Sequence, residues 1–166
     1  MEFSKFITML NDNKKNYAHT WFELVENSEY METYRKLDKD IVLERGEAVF
    51  THLANWLESG ASNDVAEQYF EEVGKDRFKE GFPLTEVIYA LYLVKKVFWC
   101  CVAWKKDVCE EKEHENCEQC VEFLTILGNY FDLGNFYLTR GYFQKIFSEL
   151  DKSSITGKEE FVWRHV

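Results

Sequence analysis

Gly81-Phe82-Pro83-Leu84-Thr85-Glu86-Val87-Ile88-Tyr89-Ala90-Leu91-Tyr92-Leu93-Val94-Lys95-Lys96-Val97-Phe98-Trp99-Cys100-Cys101-Val102-Ala103-Trp104 carries the architecture of this chain. Glycine and proline open the stretch, and beyond Thr85 and Glu86 nothing interrupts a helix for about six turns. At helical spacing Leu84, Val87, Ile88, Leu91, Val94, Phe98 and Cys101 share one apolar face. Tyr89, Tyr92, Trp99 and Ala103 share a second, with Lys96 among them. A helix that is apolar most of the way round belongs at the centre of a domain or at a subunit interface. The spacing therefore predicts one long central helix over residues 84–106.

Leu84 to Trp104 is also long enough to cross a bilayer. Lys95 and Lys96 argue against that, because each would cost roughly 2.5 to 3.5 kcal/mol near the membrane centre and no second span could partner them. The amino-terminal residues Met1 to Leu10 carry Glu2 and Lys5 and lack a continuous apolar run, so they do not resemble a signal peptide. A cytoplasmic chain with no membrane partner is expected.

Outside this stretch, composition narrows the options. The 166 residues suit one domain, long enough to bury about 70% of the surface its unfolded form exposes. Aromatic residues make up 17% of the chain, which supplies bulky core material. One proline and eight glycines leave few turns, favouring a few long helices. A formal net charge of -10 with no basic block excludes an ordinary nucleic-acid binder. Five cysteines without an export signal read as reduced thiols.

Phe3, Phe6, Ile7 and Leu10 repeat at helical spacing, and Asn11-Asp12-Asn13 then predicts an interruption. A second helix is expected from Tyr17 to Ser28, followed by an aromatic connection of Tyr30, Met31 and Tyr34. A third spans Asp38 to Glu58 and stops at Ser59-Gly60. Asn63 is a candidate N-cap for a fourth from Asp64 to Lys79, with Val65, Tyr69, Val73 and Phe78 on its buried side. Asn116 and Gln119 resemble a capping box, so a further helix is expected from Cys117, running past a weak point at Gly134 to Leu150. Residues 151–166 read as a flexible tail, and residues 1–150 as one helical domain. No segment alternates, so the fold class is all-α, a single-domain helical bundle.

Three groups of side chains carry chemistry worth weighing. Cys117 and Cys120 form a Cys-x-x-Cys in the first turn of a helix, where the dipole favours a thiolate, so they are candidate redox thiols. Adding Cys109 and His114 gives a conceivable zinc set, but C-x4-H-x2-C-x2-C lacks the separated ligand pairs of structural zinc modules, and ordinary reduced thiols remain the commoner outcome. Cys100 and Cys101 lie about 100° apart on a helix and cannot share a metal.

An aromatic-rich helical domain raises haem, which needs an axial ligand on an apolar pocket. His52, beside Val49, Leu53 and Trp56, is the candidate cofactor-binding residue, against the simpler reading of a half-buried histidine satisfied by a neighbour. Phosphate-binding loops, dinucleotide fingerprints, nucleophile elbows and His-Glu-x-x-His are all absent from the sequence. The acid pairs Glu71-Glu72, Glu110-Glu111 and Glu159-Glu160 sit among other charges and read as solvated surface. No enzyme is expected.

Two pieces of sequence resemble a known family when taken together. Asp76-Arg77-Phe78-Lys79-Glu80-Gly81-Phe82-Pro83-Leu84-Thr85-Glu86-Val87 runs on to Val97-Phe98-Trp99, and Phe131-Asp132 runs on to Thr139-Arg140-Gly141-Tyr142. With Trp21, they are similar to the RsbRD-type amino-terminal domain, found ahead of phosphorylation-regulated output modules in stressosome co-antagonists and ahead of some histidine kinases. The resemblance covers residues 15–150. It implies a helical sensory or regulatory domain with a globin-like arrangement, often without haem, whose partners are a kinase or a STAS-type regulator. The chain departs from the pattern after Leu150, where no phosphoacceptor domain or kinase core follows. A regulator acting in trans or a sensor fragment would each account for that. The functional expectation is a non-enzymatic bacterial signal-input domain that dimerises along Tyr89, Tyr92, Lys96 and Trp99, the alternatives being a small-molecule or haem sensor and a thiol switch.

Overall fold

The computed structural model describes the backbone of residues 3–101 and 117–152, and their side chains except at 101, 117–121, 123 and 152. Six helices and no strands occur among the described residues: α1 (Ser4–Glu26), α2 (Glu32–Arg35), α3 (Lys39–Glu58), α4 (Asn63–Lys79), α5 (Leu84–Cys101) and α6 (Cys117–Lys152). The all-helical bundle is as expected. No described helix is long and apolar enough to cross a membrane. Helix α5 is described as far as Cys101, so the expected extension to residue 106 lies outside the described residues.

The helices associate as two pairs. Helices α1 and α3 run antiparallel, since Tyr17 meets Phe50 while Phe22 lies under Lys39 nearer the other end. Helices α4 and α6 run parallel, with Phe70 against Gly134 and Phe78 against Tyr142. Helix α5 packs across α1 and α6, and α3 has little backbone contact with α4.

Each pair closes through a glycine. A Cβ built on Gly46 would sit 2.9 Å from the Trp21 ring and 3.1 Å from Ala18, so α3 lies close on α1. The α4 and α6 crossing is tighter still. A Cβ on Gly74 would fall 2.1 Å from the Leu138 carbonyl, and one on Gly141 would fall 2.2 Å from the Glu71 carbonyl. Backbone meets backbone in both directions, and no side chain could be interposed without moving a helix.

Three details depart from the sequence pattern. Helix α1 continues through Asn11-Asp12-Asn13 without a break. Asparagine costs a helix no more than about 0.7 kcal/mol, and Asn13 Nδ2 donates back to the Met9 carbonyl at 2.9 Å. Burial of Phe6, Leu10, Tyr17, Ala18, Trp21 and Val25 along one face outweighs so small a penalty. Asn63 is the first residue of α4, and Ser62 takes the N-cap position with no capping side-chain bond. The fully buried side of α4 is Ala66, Phe70, Gly74 and Phe78, whereas Val65, Tyr69 and Val73 are half-buried. Glycine holds the centre of this row because the approach of Leu138 leaves no room for a side chain at position 74.

The ends of α3 and α4 share one device. Ala61 N–H donates to the Trp56 carbonyl and Gly60 N–H to that of Leu57. At α4, Phe82 N–H donates to Arg77 and Gly81 N–H to Phe78. Gly60 and Gly81 have φ of 76° and 79°, the left-handed conformation that this helix stop requires. Phe82 is then turned inward and is 2% exposed, with its carbonyl accepting from the Tyr142 hydroxyl at 2.6 Å.

Candidate functional site

Helix α5 buries most of its expected inner face, with Ile88 only half-buried and with Ala90, Leu93 and Val97 buried in addition. Leu84, Val87, Ala90, Leu91, Leu93, Val94, Val97 and Phe98 are buried. On the other side Tyr92 is 51% exposed and Lys96 is exposed, with Tyr89 and Trp99 half-buried. These four positions fall at i, i+3, i+7 and i+10 and form one stripe. The Tyr89 and Tyr92 rings stack with centroids 5.4 Å apart, and Trp99 meets the edge of Phe98 at 5.5 Å.

Tyr30, read from the sequence as part of a connection, joins the stripe. Its ring packs edge-on against Tyr89 at 5.3 Å while remaining 62% exposed. A hydrogen bond to Glu29 raises the pKa of its hydroxyl. Beside these rings opens a cleft of about 490 Å³ lined by Glu29, Tyr30, Glu32, Pro83, Thr85, Glu86 and Tyr89. The stripe therefore has an acidic end at Glu29, beside a Glu32 already paired with Lys36 at 2.6 Å, and a basic end at Lys96. Lys95 is already held by Asp132 at 3.0 Å, whereas Lys96 makes no ion pair among the described residues.

Glu86 forms the floor of this cleft. It is 8% exposed, and its carboxylate accepts from Thr33 N–H at 2.9 Å, from the Thr33 hydroxyl at 2.8 Å and from Tyr34 N–H at 3.4 Å. It thereby satisfies the free N–H groups at the start of α2 and lies in the first turn of α5, where a negative charge is favoured. The residue fastens α2 to α5. Its sequence signal was no more than an acid in a first turn, which gives no hint of a tertiary partner 53 residues away.

His52 reaches across from α3 to both helices of the other pair. Its Nδ1 lies 2.8 Å from the Tyr130 hydroxyl and its Nε2 lies 3.3 Å from the Val65 carbonyl. A carbonyl can only accept, so Nε2 carries the proton and Nδ1 accepts from Tyr130. The ring stacks on Tyr69 at 3.8 Å and 8°. Burial pushes its pKa down to about 4, against the smaller opposing effect of the Val65 carbonyl. Burial also raises the Tyr69 and Tyr130 hydroxyls. An axial haem ligand needs one free ring nitrogen. Both nitrogens of His52 are engaged, and Tyr69 covers its face, so this residue does not fit haem.

The thiol candidates fall elsewhere. The backbone of Cys117 and Cys120 is helical, in α6, but their side chains lie outside the described residues, and so do Cys109, His114 and Asn116 with the expected capping box. No cluster of three or more potential metal ligands occurs among the described residues. Cys100 is an exposed free thiol. A second apolar exposure, unremarked in the sequence reading, lies on α6, where Phe136 is 57% and Phe147 60% exposed. No protein-family profile matches the chain, and no curated protein or solved structure shows significant similarity to it.

Proposed function

We propose that this chain is a non-enzymatic signal-input or regulatory domain that works through protein contacts, and that its first contact is with a second copy of itself along the outer face of α5. The observation that carries this reading is Tyr92, a half-exposed aromatic ring in the middle of α5, stacked on Tyr89, which in turn meets Tyr30. Amphipathic aromatic rings of this kind dominate the energetic centres of interfaces.

The charges at the ends of the stripe favour a second copy as the occupant. In a two-fold dimer with α5 antiparallel to its twin and the axis near Tyr92, Lys96 of one protomer approaches Glu29 and Glu32 of the other. Self-complementarity is what an isologous interface requires. Partners of the kinase or STAS type, implied by the resemblance to RsbRD-type domains, would then read the dimer. Haem sensing loses support because His52 has both nitrogens engaged.

Sedimentation of the wild-type chain and two variants tests the reading. The wild type should be dimeric at micromolar concentration, and Lys96→Glu should shift it toward monomer. Adding Glu29→Lys to that variant should restore the dimer, because the two charges exchange ends. A wild-type chain that stays monomeric at high concentration sinks the proposal.

A further inference from the structure

A second polar site lies on the opposite side of Tyr34 and is independent of the dimer face. Arg45 on α3 and Arg77 on α4 converge on one carboxylate, that of Glu80. Arg45 Nη2 donates to Oε2 at 2.8 Å, and Arg77 Nη1 donates to Oε1 and Oε2 at 3.0 Å each. Both guanidinium groups lie over the ring of Phe82, at 5.2 and 5.9 Å from its centre. Burial raises the pKa of the nearby Tyr34 hydroxyl, and the charges of Arg77 and Arg45 oppose that rise.

The charges do not balance. Two cations face one anion in a chain of net charge -10, where unpaired positive charge would ordinarily find a carboxylate. The donors do not balance either. Arg45 Nη1 and Arg77 Nε are buried and have no hydrogen-bond partner among the described residues. An unmet buried donor costs free energy, more so when it is charged. A planar carboxylate with two oxygens cannot reach every donor that two guanidinium forks from different helices present.

Glu80 is also poorly placed to stay. It occupies the C-cap of α4, where the helix dipole repels a negative charge. Its side chain is 38% exposed, against 18% for Arg45 and 14% for Arg77. The carboxylate sits on the solvent side of a built cationic floor.

We propose that Arg45 and Arg77 form a binding site for a small tetrahedral oxyanion of the phosphate class, with Glu80 as an internal competitor that the ligand displaces. A tetrahedral anion offers oxygens in more than one plane, so it can meet both guanidinium groups and the Arg45 Nη1 that the carboxylate misses. Because Arg45 belongs to one helix pair and Arg77 to the other, binding joins the pairs and stabilises the fold.

Thermal unfolding of the full chain in inorganic phosphate, against sodium chloride of equal ionic strength, tests this. Phosphate should raise the melting temperature of the wild type and raise that of Glu80→Gln further, with binding to the variant about tenfold tighter once the competing charge is gone. Arg77→Met should abolish the phosphate effect. If Arg77→Met does not fold, the wild type and Glu80→Gln still decide the matter. Equal effects of phosphate and chloride, or a Glu80→Gln variant that gains nothing from phosphate, overturn the proposal.

Discussion

Glycine-mediated close approach closes each helix pair, whereas α3 and α4, which belong to different pairs, meet without it. Within α4 and α6, Gly74 and Gly141 bring main chain onto main chain, and Gly46 seats α3 against Trp21 in the other pair. Between α3 and α4 the bonds are directional and polar, from Arg45 to Glu80 and from His52 to the Val65 carbonyl. Main chain packed on main chain is indifferent to protons and ions, although Arg140 of α6 also pairs with Glu67 and Glu71 of α4 beside it. The seam between the pairs carries His52, Arg45 and Arg77 and is expected to respond to both.

The largest expected effect attacks the packed region. Gly74→Val directs a branched side chain at the Leu138 carbonyl, which belongs to helix backbone and cannot yield. Overpacking of this kind should cost about 3 kcal/mol or more, measured as a shift in the urea midpoint. An unchanged midpoint would mean that α4 and α6 are not fitted as described.

Next comes the polar fastening of α2 to α5. Glu86→Ala leaves the Thr33 and Tyr34 donors without their acceptor and should cost about 2 to 3 kcal/mol. Glu86→Gln, which keeps an acceptor oxygen, should cost clearly less.

The seam itself is probed by pH. His52 has a folded pKa near 4 against an ordinary 6.5, so between those values the unfolded chain binds a proton that the folded chain does not. Stability is therefore full above about pH 6.5, declines as pH falls through the window, and levels off below about pH 4. After allowance for partial exposure, the loss between about pH 7 and about pH 5 is about 1 to 2 kcal/mol larger in the wild type than in His52→Gln. Parallel curves for the two proteins would remove His52 from the seam.

The smallest effect is a gain outside both regions. A Cβ on Gly128 of α6 meets nothing within 4 Å, so Gly128→Ala should stabilise the chain by about 0.5 to 1 kcal/mol. Opposite signs at Gly74 and Gly128 would show that position, and not residue type, sets the outcome.

Much of this was legible in the sequence. Periodicity located α3 and α5, the inner and outer faces of α5, and the stops at Gly60 and Gly81, because these depend on local pattern and turn chemistry. The inner row of α4 was not legible. Ala66 and Gly74 carry little hydrophobic weight, and what places Gly74 inward is the approach of α6 at Leu138, remote in sequence. The break expected at Asn11 to Asn13 failed for a related reason, since packing over the whole face of α1 outweighs a weak local preference. Glu86, Tyr30 and the paired arginines were missed because their partners are remote in sequence. One signal could have raised Arg45, its position among α3 residues otherwise bound for the core.

Trp21 ties three helices together in one side chain. Its ring lies against Gly46, its edge meets Tyr34 at 5.9 Å, and its Nε1–H donates to the Ala90 carbonyl of α5 at 3.1 Å. An indole so enclosed is a natural optical gauge. With Trp56, Trp99, Trp104 and Trp163 replaced by phenylalanine, its emission should redden when α5 lifts from α1 and so report whether the central helix is seated.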